Sequence, residues 1–199
     1  MKRGGPRESG ADTAADGRRS VLTWPAVPPV AGRVRLREFR NDDLALVLDL
    51  ATDPYVPVIS TLPAGADDAD ALAYIERQQG RLAEGRGFSF CVSLTDTDEA
   101  VGTAGLWVDD IGHGRFRAGY TVAPSWRGRG LATDALRALT SFAWTLEVAH
   151  RVELYVEPWN TVSLAVAERN GYLREGLLRD HHRLGGEWRD MVLLAAVRP

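Results

Sequence analysis

Two glycines near the middle of the chain lie where a strand-like segment meets a helix-like one. The loop is Arg127-Gly128-Arg129-Gly130-Leu131-Ala132, and it follows the β-favouring run 118–122. Apolar residues then recur at helical spacing: Leu131, Ala135, Leu136, Leu139, Phe142, Ala143 and Leu146. A glycine-bearing turn that opens a helix directs backbone N–H groups and the positive end of the helix dipole at one point. Because a phosphate group suits that point, residues 127–132, hereafter the phosphate loop, predict a site for a phosphorylated cofactor.

Polar residues further along the chain could act on a bound cofactor or on its reaction partner. Asn160 and Ser163 share the start of a predicted helix, so both side chains can reach one face. His181 and His182 lie on a predicted strand, where alternation turns only one of them toward a given face, with Asp180 on the face of His182. Imidazole, with a pKa of about 6.5, can take a proton near neutral pH. Purely structural interpretations stay open: Asn160 as a helix cap, Ser163 as a first-turn residue, and the histidines as surface residues.

Composition and charge exclude several other classes of site. Four scattered histidines and one cysteine give no metal-ligand spacing. Cys91 lies in an apolar segment, which favours a core residue over a nucleophile, and a lone cysteine indicates a reducing compartment such as the cytoplasm. The net charge of −3 gives no general attraction to nucleic acid. No apolar run approaches the length of a membrane span, and no apolar segment follows the basic N-terminal residues as in a secretory signal.

The domain boundary is predicted from a change in composition. Residues 1–32 are rich in Gly, Ala, Pro, Arg and Asp, with no periodic apolar pattern, and are interpreted as a flexible N-terminal extension. Residues 33–199 have regular patterns throughout and are predicted to form a single domain.

The order of predicted elements is β-α-α-β-β-β-α-β-α-β-β, which indicates an α/β (α+β) fold, a mixed sheet with helices on its faces. Strands are expected at 34–39, 88–94, 101–108, 116–122, 151–156, 172–183 and 188–197. Helices are expected from Asn41 to Asp53, at 67–84, from the phosphate loop to about 148, and from Asn160 to Asn170, with a loop at 55–66.

Several of these segments, in the same order, resemble the GNAT superfamily of acyl-CoA-dependent N-acyltransferases. The phosphate loop fits that family's pyrophosphate pattern, Arg/Gln-x-x-Gly-x-Gly/Ala. Residues 156–163 contain Asn-x-x-Ser, and Gly171-Tyr172 ends a helix where the family has Gly-Phe or Gly-Tyr. The resemblance runs from about Arg33 to the C-terminus and is nearest to the RimJ/RimL-like branch. It implies a mostly antiparallel sheet of about seven strands with about four helices.

The resemblance also implies a role for each site residue. Backbone N–H groups of Gly128, Arg129, Gly130, Leu131 and Ala132 would hold the pyrophosphate, with the side chains of Arg127 and Arg129 adding contacts. Val122, or Thr121 as second choice, would offer its N–H to the thioester carbonyl. Asn160 would contact pantetheine, Ser163 would protonate the departing thiolate, and His182 would be the base, near the position where the branch has a glutamate.

The chain departs from the wider family at the position of a common general acid. Many members have a tyrosine four residues before the Gly-Phe/Tyr pair, where this chain has Ala167, and Tyr172 is expected to pack in the core. Either Ser163 or solvent would then protonate the thiolate. The expected activity is acetyl transfer from acetyl-CoA, in a ternary complex and without a metal, to a primary amine of a protein N-terminus or small molecule. The alternative is a non-catalytic acyl-CoA-binding module, and either would be a monomer or homodimer.

Overall fold

A single sheet of eight strands forms the centre of the protein, in the order β1-β2-β3-β4-β5-β6-β8-β7. The computed structural model describes residues 22–199. The strands are β1 Val30–Ala31, β2 Val34–Arg37, β3 Gly87–Leu94, β4 Ala100–Asp110, β5 Arg115–Val122, β6 Arg151–Val156, β7 Leu173–Leu184 and β8 Glu187–Val197. Neighbouring strands are antiparallel except β5 and β6, which are parallel.

Five α-helices cover the two faces of the sheet. They are α1 Leu44–Ala51, α2 Val56–Ile59, α3 Asp68–Gly80, α4 Leu131–Ala143 and α5 Thr161–Arg169. Helices α4 and α5 pack on one face, in a core that includes Leu136 and Phe142, while α1 and α3 cover the other face. Among residues 22–199, no helix is long and apolar enough to cross a membrane.

The predicted α/β fold, with a mixed and mostly antiparallel sheet, is confirmed, and its element count is close. The eighth strand is the two-residue β1, which is too short to show a periodic pattern. The fifth helix is α2, inside the predicted loop 55–66, where the Asp53 carboxylate accepts the N–H groups of Tyr55 and Val56 and so starts a helical turn. Helices α3 and α4 end earlier than predicted, at Gly80 and Ala143.

Part of the predicted N-terminal extension packs on the domain. Trp24 places its ring edge-on against Phe88 and Phe90, with ring centroids 5.8 and 4.9 Å apart, and β1 pairs with β2. Trp24 is partly buried, and its contact with two phenyl rings stabilises the docked segment, while the domain boundary at residue 32 stays a prediction. The prediction for residues 1–21 lies outside the described part of the chain.

The parallel strands β5 and β6 separate toward their carboxyl ends. They pair only where Arg115, Phe116 and Arg117 face Arg151, Val152 and Glu153. Beyond that point β5 stays paired with β4 as far as Val122, and β6 stays paired with β8 as far as Val156. A gap therefore opens between the two strands, next to the phosphate loop that follows β5.

Candidate active site

The phosphate loop bends into the N-terminus of α4 through two left-handed glycines. Gly128 has φ 75° and Gly130 has φ 78°, and Gly130 is the N-cap of α4. A Cβ atom added at either glycine would meet no atom within 4 Å. The glycines therefore serve the backbone conformation, and the space in front of the loop is open.

The same loop presents a run of free backbone donors. Within residues 22–199, the N–H groups of Gly128 through Ala132 have no intramolecular acceptor. Consecutive free N–H groups at the start of a helix, together with the helix dipole, favour a bound anion. The geometry thus fits the pyrophosphate of an acyl-CoA, as the loop sequence predicts.

Arg127 makes internal contacts instead of facing this open space. Its Nη1 lies 2.6 Å from Oδ2 of Asp53, and its Nε donates to the carbonyl oxygen of Val122 at 3.1 Å. Burial acts to raise the pKa of Asp53, but the N–H of Tyr55 and the guanidinium of Arg127 outweigh it and hold that pKa below its usual value. Arg127 therefore ties the loop and β5 to the start of α2.

Arg129 also makes local contacts. Its guanidinium lies over the ring of Trp126, 4.4 Å from the centroid, and donates to the carbonyl oxygen of Ser125 at 3.2 Å. The side-chain contacts to pyrophosphate implied for Arg127 and Arg129 stay predictions, and both groups already have protein partners.

The hydrogen bonds at the end of β5 show whether the backbone N–H of Val122 or that of Thr121 faces the gap. The N–H of Ala123 donates to the carbonyl oxygen of Val101 on the β4 side, at 3.0 Å. Because N–H groups alternate along a strand, Thr121 also directs its N–H toward β4, while the N–H of Val122 points into the gap. This geometry favours Val122, whose side chain packs in the core, as the donor to a carbonyl in the gap.

Asn160 and Ser163 meet at the start of α5, as predicted. Oδ1 of Asn160 accepts the N–H of Ser163 at 3.1 Å, so Asn160 caps the helix. The Oγ of Ser163 lies 2.8 Å from the hydroxyl of Tyr120 on β5. Burial raises the pKa of Tyr120, although the bond to Ser163 acts in the opposite direction, so the phenol stays protonated.

Tyr120 is a site residue that the sequence reasoning missed. It lies two residues before Val122, so alternation along β5 puts both side chains on one face. Ala167, which is fully buried, stands where many family members have a tyrosine that acts as the general acid. Tyr120 lies on a strand and provides a phenol hydroxyl next to Ser163 instead. Tyr172 packs in the core as predicted, 1% exposed, with its hydroxyl 2.8 Å from Oγ1 of Thr140.

The gap is part of a cavity of about 780 Å³, whose lining includes Ser163 of α5 as well as Tyr74 of α3. Four of the predicted residues line it: Thr121, Asn160, Ser163 and His182. Aromatic side chains supply much of the remaining wall: Tyr55, Tyr74, Trp107 and Tyr155. The structure thus brings the predicted site residues from β5, α5 and β7 together around one space next to the phosphate loop.

Of the two histidines only His182 lines the cavity, but the strand around them is irregular. The pairing of β7 with β8 slips between Leu178 and His182, and Asp180 adopts φ 47°. This irregularity lets both rings contact Tyr155, with His181 stacked at 5.1 Å and His182 edge-on at 5.4 Å between centroids. Burial, together with His181 and the guanidinium of Arg117, holds the pKa of His182 below its usual value. His182 is therefore neutral at pH 7, as a base must be.

Glu157 is a second residue that the sequence reasoning missed. It follows β6, lines the cavity, and is 5% exposed. Its Oε2 accepts a hydrogen bond of 2.5 Å from the hydroxyl of Tyr55. Period-two alternation along 153–157 could have placed it on the cavity face with Tyr155, but nothing in the sequence showed that this face lines a cavity.

Two other predicted features concern cysteine and metal. Cys91 is a buried free thiol, as expected for a core residue. Within the described residues 22–199, no three His, Cys, Asp or Glu side chains are grouped as a metal site.

Comparison with known proteins identifies the domain. A model of the acetyltransferase (GNAT) domain family matches residues 33–173. The uncharacterized N-acetyltransferase p20 of Bacillus licheniformis is 28% identical over 166 residues, covering 83% of this chain and 93% of that protein. The [ribosomal protein uS5]-alanine N-acetyltransferase of Escherichia coli is 31% identical over 119 residues, covering 58% of this chain and 60% of that protein.

A solved structure from the same branch shares the fold. RimJ of Mycobacterium smegmatis, solved in complex with CoA-disulfide, superimposes with a TM-score of 0.72 at 28% identity. The match covers 85% of this chain and 88% of that one. With its family match, its fold and its loop geometry in agreement, the chain belongs to the GNAT family of N-acetyltransferases and resembles the RimJ/RimL-like branch.

Proposed function

We propose that this N-acetyltransferase transfers an acetyl group from acetyl-CoA to a primary amine, by direct attack in a ternary complex. The observation that carries the proposal is the run of free N–H groups from Gly128 to Ala132, placed next to the gap between β5 and β6. The gap leads into a cavity with room for an acceptor. Cofactor and acceptor can therefore reach one point from two sides.

In this proposal, backbone groups hold the cofactor and polarise its thioester. The N–H groups of the phosphate loop bind the pyrophosphate, and the amide of Asn160, whose nitrogen has no acceptor within residues 22–199, faces pantetheine. The N–H of Val122 donates to the carbonyl oxygen as negative charge develops there. A fixed donor of this kind contributes about 2.7–4 kcal/mol to catalysis.

Two side chains then accept and donate the protons of the reaction. The amine gives a proton to the neutral imidazole of His182 and forms the C–N bond, and the C–S bond breaks. The hydroxyl of Ser163, bonded to Tyr120, donates a proton to the departing sulfur, and solvent carries the proton held by His182 back to the Ser163–Tyr120 pair. A thiol has a pKa of about 8.5, so the thiolate is a good leaving group and needs only modest help.

The acceptor is proposed as a protein N-terminus or a small-molecule amine. The E. coli relative is named for an alanine of ribosomal protein uS5, which supports a protein N-terminus. Peptides and small amines therefore both belong in the test.

The test measures thiol release from acetyl-CoA with the wild-type protein across a panel of peptides and small primary amines. We expect release that depends on one class of amine, with the acetyl group recovered on that amine's nitrogen. Tight acetyl-CoA binding without release for any amine would contradict transfer and favour a binding module.

We expect Tyr120→Phe and Ser163→Ala each to lower kcat by about 100-fold, the low end for loss of an acid. Both hydroxyls belong to one hydrogen-bonded pair, so the double variant should lose no more than either single variant. Steady-state kinetics at saturating acetyl-CoA checks this. If the double variant lowered kcat by the product of the two single-variant factors, the two groups would act independently.

We expect His182→Gln to lower kcat/KM for the amine by about 100-fold or more at neutral pH. Because burial holds its pKa below the usual value, His182 is an active base above that pKa, and the rate should fall as the pH drops through it. The variant should lose this acid limb and keep its acetyl-CoA affinity. A pH–rate profile with the acid limb unchanged would remove His182 from the mechanism.

A further inference from the structure

Buried carboxylates elsewhere in the protein are paired with guanidinium groups. Four carboxylate residues are buried within residues 22–199: Asp43, Asp53, Glu153 and Glu157. Three of them have an arginine nitrogen at 2.6–2.7 Å: Asp43 with Arg37, Asp53 with Arg127, and Glu153 with Arg151. Such pairs offset the cost of removing a charge from water.

Glu157 has no comparable partner. The nearest guanidinium nitrogen is Nε of Arg189, at 4.0 Å, and Arg189 lies closer to Glu187, at 2.6 Å. The Tyr55 hydroxyl binds Oε2, but a phenol carries no positive charge. Within the described residues, Oε1 accepts no hydrogen bond at all. The carboxylate therefore lacks both a close counter-charge and a donor for one oxygen, an arrangement that a cationic ligand would complete.

The strand register places this carboxylate opposite the end of β5. Arg117 of β5 pairs with Glu153 of β6, and counting along both parallel strands brings Thr121 level with Glu157. The gap lies between them, since neither residue is within the paired region. Glu157 thus lies across the gap from the point where the thioester carbonyl is proposed to bind.

His182 lies close to the same place. Its ring contacts Tyr155, which is two residues before Glu157 on the same face. Its cross-strand partner is Arg189, the residue whose guanidinium is 4.0 Å from Glu157. The carboxylate and the neutral imidazole therefore border one region of the cavity.

We propose that Glu157 is the binding site for the ammonium group of the acceptor, a role that rests on the proposed transfer reaction. The ligand class is a primary ammonium, such as a peptide N-terminus or an alkylamine. One N–H bonds to Oε1, while Tyr55 holds Oε2 and fixes the carboxylate. The bound ammonium then releases one proton to the imidazole of His182, and the freed lone pair attacks the thioester carbon. As the C–S bond breaks, the nitrogen loses a second proton, which balances the proton that Ser163 gives to the departing sulfur.

The test compares Glu157→Gln with wild type at two pH values. With an α-amino pKa of about 8, about 1% of a peptide amine is neutral at about pH 6, and about 90% is neutral at about pH 9. The variant lacks the charge that binds the ammonium form, so it depends on neutral amine. We expect the KM for the amine to rise by about 100-fold at about pH 6 but only a few-fold at about pH 9. Acetyl-CoA affinity should not change.

A structural role for Glu157 would give a different pattern. In that case Glu157→Gln would raise the KM for the amine by the same factor at both pH values. That result, or an unchanged KM, overturns the proposal. Glu168→Gln is the matched control, because its carboxylate is exposed on α5 and paired with Arg174. The control should behave as wild type at both pH values.

A second measurement uses the unaltered protein. Primary alkylammonium ions should inhibit competitively against the amine acceptor, while alcohols of the same length should not. Equal inhibition by both, or by neither, overturns the proposal even if Glu157→Gln does not fold. If the wild type transfers acetyl to no amine, the proposed function fails separately. Calorimetry with the alkylammonium ion then tests the site separately. Binding supports the proposed site, and absence of binding overturns it.

Discussion

Gly130→Asp should weaken acetyl-CoA binding by about 1000-fold, whereas Arg127→Ala should weaken it by no more than about tenfold. The aspartate carboxylate would occupy the open space in front of the phosphate loop and would repel the pyrophosphate. Each charge-assisted hydrogen bond lost there is worth about 1.5–3 kcal/mol, so losing two of them accounts for the effect. Arg127 contributes less because its guanidinium already binds Asp53 and the Val122 carbonyl.

Calorimetry with acetyl-CoA measures both affinities. Gly65→Asp is the matched control, since Gly65 also has positive φ, at 64°, and has open space around it, but lies before α3 and away from the phosphate loop. It should bind acetyl-CoA like the wild type. If Arg127→Ala lost more affinity than Gly130→Asp, side chains and not the backbone N–H groups would hold the cofactor.

Val122→Pro should lower kcat by about 100-fold to 1000-fold while acetyl-CoA still binds. Proline removes the N–H that is proposed to bind the thioester carbonyl. That N–H points into the gap, away from β4, so the β4–β5 hydrogen bonds need not change. Proline is tolerated at a strand edge of this kind.

Val122→Ala tests the contribution of the side chain without removing the N–H donor. It shortens a buried residue but keeps the N–H, so kcat should stay within a few-fold of wild type, measured under saturating substrates. If the alanine variant lost as much activity as the proline variant, core packing would explain the loss. An unchanged kcat in the proline variant would place the carbonyl on another donor.

The features that could be predicted from the sequence depend on short-range patterns. Apolar periodicity and glycine positions were sufficient for the α/β sheet, for the phosphate loop and for the cap that brings Asn160 to Ser163. The shortest pattern gave no signal, since the two-residue β1 was missed, and the slip in β7 beside His182 was not predicted.

The missed features depend on contacts between distant segments. Tyr120 matters because α5 brings Ser163 to it, and Glu157 matters because the α1–α2 connection brings Tyr55 to it. Trp24 docks on β3 from a segment whose composition is that of a flexible tail. No local pattern encodes such pairings. The predictions of cytoplasmic localisation, of a monomer or homodimer and of no nucleic-acid binding stay predictions.

A crystal structure with bound acetyl-CoA tests the central claim most directly. We predict pyrophosphate oxygens within about 3 Å of the N–H groups of Gly128 to Ala132, and the thioester carbonyl oxygen at a similar distance from the N–H of Val122. The acetyl group should face the cavity between Glu157 and His182. Pyrophosphate bound away from the phosphate loop, or a carbonyl oxygen without the Val122 donor, would contradict the account.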